Sequence, residues 1–192
     1  MNNYSFKTLT LLLAVLAAMM LITSCDNDDD APTEPPNEEE VITSLTMTFS
    51  GGGVAIFTWI DADGEGPAAP VITEQALQAN TTYTVDITLL NTLEMPAENI
   101  TEEIAEEDDE HQFFFETSAG LDLDIAYADM DDDGNPLGLR TTFTTGAAGT
   151  GTVKVTLRHE PTKGITYTPG GAIPSGAGGS TDIEVTFDVE IQ

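Results

Sequence analysis

The sequence predicts an all-β fold, an antiparallel sandwich of about seven or eight strands over residues 41–192. Three observations carry this. First, apolar residues alternate with polar ones at period two in Tyr83-Val85-Ile87-Leu89, Leu121-Leu123-Ile125-Tyr127, Val153-Val155-Leu157 and Ile183-Val185-Phe187-Val189-Ile191. Such stretches give each strand one buried and one wet face. Second, Gly, Asp, Asn and Pro punctuate the intervals between them. Third, no βαβ rhythm and no long 3.6-residue period appears, which excludes a parallel sheet wrapped in helices.

Taken in order, less regular strands are expected at Leu45–Phe49 and Val54–Ile60, then the regular strand at Tyr83–Leu89. Glu98–Glu107 is the one short helix candidate, because Ile100 and Ile104 are four apart and share a face. Its carboxylates crowd the C-terminal end, where the helix dipole disfavours them. His111–Glu116 follows, and Phe113-Phe114-Phe115 in a row predicts a strand covered on both faces, or Phe114 at a contact surface. Leu121–Tyr127, Thr141–Thr145, Val153–Leu157 and Ile183–Ile191 complete the set. Pro169–Ser180 is Gly-rich, lacks phosphate-loop spacing, and reads as a flexible loop before the last strand.

One stretch refines the class. Leu77-Gln78-Ala79-Asn80-Thr81-Thr82-Tyr83 resembles the L-x-P-x-T-x-Y segment of fibronectin-type and related immunoglobulin-like domains, with Ala79 in place of proline. In those domains the tyrosine hydroxyl ties back to the preceding loop, the tyrosine corner. The resemblance implies an immunoglobulin-like sandwich. With a single Cys in the chain, no intramolecular disulfide holds it.

Charge limits the partners. The chain carries 34 Asp and Glu against 5 Lys and Arg, a net charge of -29. Such a surface repels nucleic acid, whose binding depends on basic side chains displacing counterions. The acid is unevenly spread. Residues 1–24 hold Lys7 and an apolar run from Leu9 to Ile22, the length of a signal-peptide core rather than a membrane span. The run ends in Leu21-Ile22-Thr23-Ser24-Cys25, which resembles a bacterial lipobox. The resemblance implies cleavage before Cys25 and acylation of that residue, hence a lipid anchor. The acidic run that follows resembles the surface-export signal of some Gram-negative lipoproteins, which implies the outer membrane and its external face, whereas elsewhere an Asp directly after the Cys, as Asp26 is here, marks retention in the inner membrane. Residues 25–40 follow as an acidic tether, with eight carboxylates and three prolines between Asp26 and Glu40 and no large apolar residue to bury.

Candidate chemistry falls in two places. In Asp129-Met130-Asp131-Asp132-Asp133-Gly134-Asn135, carboxylates alternate before a glycine, as in the first half of a calcium-binding loop. The match then departs: Arg140 stands where an EF-hand needs a bidentate glutamate, and no helix flanks the loop. Asp129, Asp131, Asp133 and Asn135 are thus calcium candidates, against a plain hairpin turn. The second place is the histidine pair. Glu110-His111 and His159-Glu160 both lie at strand ends, and both imidazoles are in phase with buried positions. Glu110, His111, His159 and Glu160 form a zinc candidate if the strand ends meet. The alternative is two surface histidines. No catalytic set appears: the lone Cys is placed for lipid, and G-x-S-x-G is absent. An enzyme is not expected.

Taken together, VITSLTMTF, ANTTYTVDITLLN, EHQFFF, AYADMDDDGNPLG, TTGAAGTGTVKVTLRHEP and TDIEVTFDVEIQ resemble a family of short flavobacterial-type surface lipoproteins. That family is often labelled a type 1 periplasmic binding fold, a pair of α/β lobes. The length and strand rhythm here predict a single sandwich instead. The resemblance implies an accessory role beside an outer-membrane TonB-dependent receptor and assigns no functional residues. Two functions follow as expectations: a lipid-anchored binding module for a metal ion or small solute, or a structural or adhesive surface lipoprotein.

Overall fold

A computed structural model describes residues 40–64 and 66–192. The predicted signal segment, Cys25 and the tether up to residue 39 lie outside the described residues. Among those described, no helix is long and apolar enough to cross a membrane.

The described chain forms nine strands and one short helix. In order they are β1 (Ser44–Ser50), β2 (Ala55–Ile60), β3 (Val71–Thr73), β4 (Thr82–Leu90), α1 (Ile100–Glu106), β5 (His111–Thr117), β6 (Leu123–Tyr127), β7 (Arg140–Thr145), β8 (Gly149–His159) and β9 (Ser180–Ile191). All strand pairs between them are antiparallel. Six strands make one sheet in the order β3-β2-β1-β4-β7-β6, and three make the other as β5-β8-β9. The all-β sandwich is therefore as predicted. The addition is β3, whose three residues are all exposed and too few to show a period.

Alternation explains most of the core. In β9 the buried positions are Ile183, Val185, Phe187, Val189 and Ile191, with exposed residues between them. In β4 they are Tyr83, Val85, Ile87 and Leu89. Aromatic rings join the two sheets: Phe57 meets Phe187 at a centroid distance of 5.6 Å, and Phe115 meets Phe143 at 6.0 Å. Each such ring contributes about 2–3 kcal/mol by burial. The tyrosine corner is present, since the Gln78 N–H donates to the Tyr83 hydroxyl at 2.8 Å. The β1–β2 turn uses Gly51 at φ 98°, a left-handed conformation that a side chain disfavours.

The three phenylalanines of β5 are all fully buried, and the reason lies in what covers the strand. Phe113 and Phe115 face the core, while Phe114 packs edge-on against Tyr167 at 5.0 Å. Tyr167 also donates to the Phe115 carbonyl and accepts from the Phe115 N–H. Gly170 bonds Phe115 and Thr117 through its backbone, and the Phe113 N–H donates to Leu137. The Gly-rich connection read as a loose loop is thus a strap that closes the outer edge of β5. Closing an edge in this way prevents pairing with foreign strands.

The helix falls where predicted, with Ile100 and Ile104 buried. Thr101 ties it to β4: its hydroxyl accepts from the Leu89 N–H at 2.7 Å and donates to the Leu89 carbonyl at 3.1 Å. This leaves the end of α1 next to the start of β5, where His111 stands.

Candidate metal centre

His111 and His159 are direct register partners across β5 and β8. Opposite residues of an antiparallel pair share a face, so the imidazoles meet with centroids 4.6 Å apart. Both are buried, His111 completely. Two carboxylates that sequence reasoning did not group with them complete the cluster. Glu40 Oε1 lies 3.1 Å from His111 Nε2, and Glu40 Oε2 lies 3.9 Å from His159 Nδ1. Asp182 Oδ2 lies 3.9 Å from His111 Nε2. One ligand atom from each of Glu40, His111, His159 and Asp182 falls within 4.8 Å of all the others.

Each side chain is there for a local reason. Asp182 owes its place to a β-bulge. Leu157 pairs with Ile183, but Arg158 pairs with Thr181, so Asp182 is the extra residue. A bulge re-aims the residue it inserts, and the Asp182 side chain is fully buried beside His111. Regular alternation would instead group it with the outward Glu184 and Asp188. Glu40 closes the acidic run assigned by composition to the tether, yet its side chain is only 8% exposed. Chain entry fixes it nearby, where the Thr43 N–H bonds the Leu90 carbonyl and Thr43 is buried.

The tautomer of His111 decides the chemistry. Its Nδ1 lies 3.1 Å from the carbonyl of Glu107, the residue that caps α1. A carbonyl only accepts, so Nδ1 carries hydrogen. In the neutral ring, Nε2 then presents a lone pair to Glu40 and Asp182. That arrangement is repulsive unless a proton or a metal cation sits between them. Among the described residues, His111 Nε2, His159 Nδ1 and Glu40 Oε2 are buried without an aligned hydrogen bond. Burial pulls the His111 pKa down, but contact with Glu40, the Glu107 carbonyl and the Asp182 charge outweigh it, and the net shift is upward. Burial likewise pushes the Glu40 carboxyl up, and the His111 contact reverses this to a net lowering.

Lys163 holds the frame. Its ammonium donates to the carbonyls of Asp108, His111 and Pro136 at 2.7, 2.6 and 3.2 Å and lies 3.2 Å from Asp131 Oδ2. It therefore grips the backbone on both sides of the α1–β5 turn.

The predicted zinc set is split by this geometry. His111 and His159 come together, while Glu110 and Glu160 group with the opposite side of His159. The predicted calcium turn shows different chemistry. Asp131 Oδ1 accepts from the N–H groups of Asp133 and Asn135 at 3.1 and 2.7 Å, and Oδ2 accepts from the Asn135 side chain. Asp129 accepts from Gly138 and Arg140 N–H at 2.7 Å each. Burial pushes the Asp131 carboxyl up, but Asn135 and Lys163 bring it below its ordinary value. For Asp129, burial wins over the backbone donors and the shift is upward. These carboxylates serve the turn as caps. Asp133 contributes its backbone N–H, and Asn135 contributes donors.

No protein-family model, no curated protein and no solved structure matches this chain.

Proposed function

We propose that the protein is a lipid-anchored cell-envelope module that binds one zinc-type divalent cation through Glu40, His111, His159 and Asp182. The observation that carries the reading is the lone pair of His111 Nε2, fixed by the Glu107 carbonyl and aimed between two carboxylates. Zinc bound tetrahedrally at about 2.0–2.2 Å sets its ligands roughly 3.4 Å apart. The contacts at 3.1–3.9 Å bracket this spacing, and since the four ligand atoms lie within 4.8 Å of one another, the widest pair closes by up to about 1.4 Å on binding. Mixed imidazole and carboxylate donors suit zinc better than calcium or magnesium, which prefer oxygen alone.

Four protein ligands fill a tetrahedral shell and leave no open position for water, which favours a binding role over a catalytic one. The anchor rests on the lipobox-like Leu21–Cys25 segment, and a TonB-dependent receptor is the partner that the family resemblance implies. Calorimetric titration of the full-length protein with Zn²⁺ after chelator treatment tests the reading. One site per chain, with a rise in melting temperature, is expected. No heat and no shift in melting would sink it.

One observation favours a second reading. Glu40 and protonated His111 at 3.1 Å would also make an ion pair that fastens the chain entering β1. In that case the domain is a structural surface lipoprotein, and melting responds to pH but not to zinc.

A further inference from the structure

The four proposed ligands are not held alike. His111, His159 and Asp182 stand on β5, β8 and β9, the three strands of one sheet. Register pairing fixes the two histidines, and the bulge between β8 and β9 fixes Asp182. Glu40 comes from elsewhere in the chain. It precedes β1, which belongs to the six-stranded sheet. The site therefore spans the two sheets, with three ligands on strands and one on the chain entry.

Little else fastens that entry. Among the described residues, the first backbone-to-backbone hydrogen bond after Glu40 is the one from Thr43 to Leu90. The Thr43 hydroxyl meets Thr92 at 2.8 Å, and Ile42 packs on the core. Val41, next to Glu40, is 53% exposed. Yet the Glu40 side chain is buried, one oxygen at His111 and the other toward His159, and the second oxygen has no hydrogen-bond partner. Burying a carboxylate oxygen without a partner is costly. A neutral His111 does not offset that cost. Its Nδ1–H is committed to the Glu107 carbonyl, so Nε2 meets the carboxylate lone pair to lone pair. A divalent cation between them turns the repulsion into ligation by both.

We infer that a zinc-type cation at this site works as a clasp: bound, it ties the chain entry at Glu40 to the β5-β8-β9 sheet, and absent, it lets that entry go. This rests on the zinc reading above and adds its consequence. Glu40 closes the acidic run expected to lead to the lipid anchor. Metal occupancy thus sets where that run departs from the domain and whether a protease reaches the junction. The size of the effect follows from linkage. Losing a ligand weakens zinc by at least about tenfold, since even an outer-shell partner is worth that much. By reciprocity, bound zinc opposes release of Glu40 by the same factor.

The test is digestion of the full-length protein by a glutamate-specific endoprotease at pH 8, after chelator treatment, with and without saturating zinc. Cleavage between Glu40 and Val41 requires the Glu40 side chain to leave the histidines and enter the protease. Mass spectrometry follows that cut, and the cut after Glu94, exposed between β4 and α1, is the internal clock. Zinc should slow the Glu40 cut at least about tenfold and leave the Glu94 cut unchanged. In Asp182→Asn, which keeps Glu40 itself, calorimetry should show Kd raised about tenfold, and the zinc concentration that gives half protection should rise with it. Zinc that binds by calorimetry yet leaves the Glu40 cut at its metal-free rate overturns the clasp and leaves the site standing. Equal slowing of both cuts also overturns the clasp, as does a half-protection point that stays fixed while Kd rises. A wild-type protein that binds no zinc overturns both readings.

Discussion

Two acidic regions of this protein look alike as sequence and differ as chemistry. The turn from Asp129 to Asn135 has the denser carboxylates and the better match to a metal loop. Its Asp129 and Asp131 oxygens nevertheless accept backbone N–H groups, and Asp131 also meets Lys163. At the other region the carboxylates are fewer and scattered through the chain, and Glu40 and Asp182 lie beside imidazole nitrogens. Local density of acid is therefore a poor guide, because a tight turn tends to satisfy its own side chains.

This contrast predicts separable defects. His111→Ala should weaken zinc binding at least about a hundredfold, because even loss of an outer-shell partner costs about ten- to a hundredfold. Competition against a chelator of known affinity measures it, and a change under threefold would move the site away from His111. Asp131→Ala should behave in the opposite way. It removes the acceptor of three turn hydrogen bonds and the carboxylate beside Lys163. The expected cost is about 2 kcal/mol in urea unfolding, with zinc affinity nearly unchanged. An Asp131→Ala protein that lost zinc without losing stability would erase the distinction between the regions.

Much of the fold was legible in the sequence because period two states which face is buried. The helix held by Ile100 and Ile104 and the inward phase of both histidines follow from spacing alone, and the tyrosine corner from the resemblance of Leu77–Tyr83 to the immunoglobulin-like motif. Three things were not legible. The bulge that aims Asp182 arises from pairing between β8 and β9 and leaves no mark in the alternation of either strand. Glu40 matches the acidic run before it in composition, and only its tertiary contacts with the histidines reveal its place in the site. The strap after β8 looked loose because glycine marks freedom of the chain, not whether hydrogen bonds remove that freedom. Tyr167 and Gly170 show that they do.

Proton and metal compete for the same lone pair, and this gives the smallest but most diagnostic effect. His111 has its pKa raised in the folded protein, so the metal-free domain gains stability from its protonated form. That gain is complete below the ordinary histidine range and is lost as pH rises through the raised folded value. Glu40 has its pKa lowered, so its contribution is present above the ordinary carboxylate range and lost as pH falls through the folded value. The two together place the metal-free optimum at roughly pH 4.5 to 6.5. Zinc needs His111 Nε2 deprotonated, so its affinity should fall about tenfold, or about 1.4 kcal/mol, for each pH unit below the raised pKa. Melting curves with and without zinc should therefore diverge as pH rises from the ordinary histidine value through the raised one, the metal-free curve falling while the zinc-bound curve holds. Curves that stay parallel would mean that His111 is not shared between proton and metal, and would leave the turn and the histidine pair as two structural uses of the same acid. Substituting His111 by Ala should flatten the upper arm of the metal-free profile, because that arm reports the loss of this one proton.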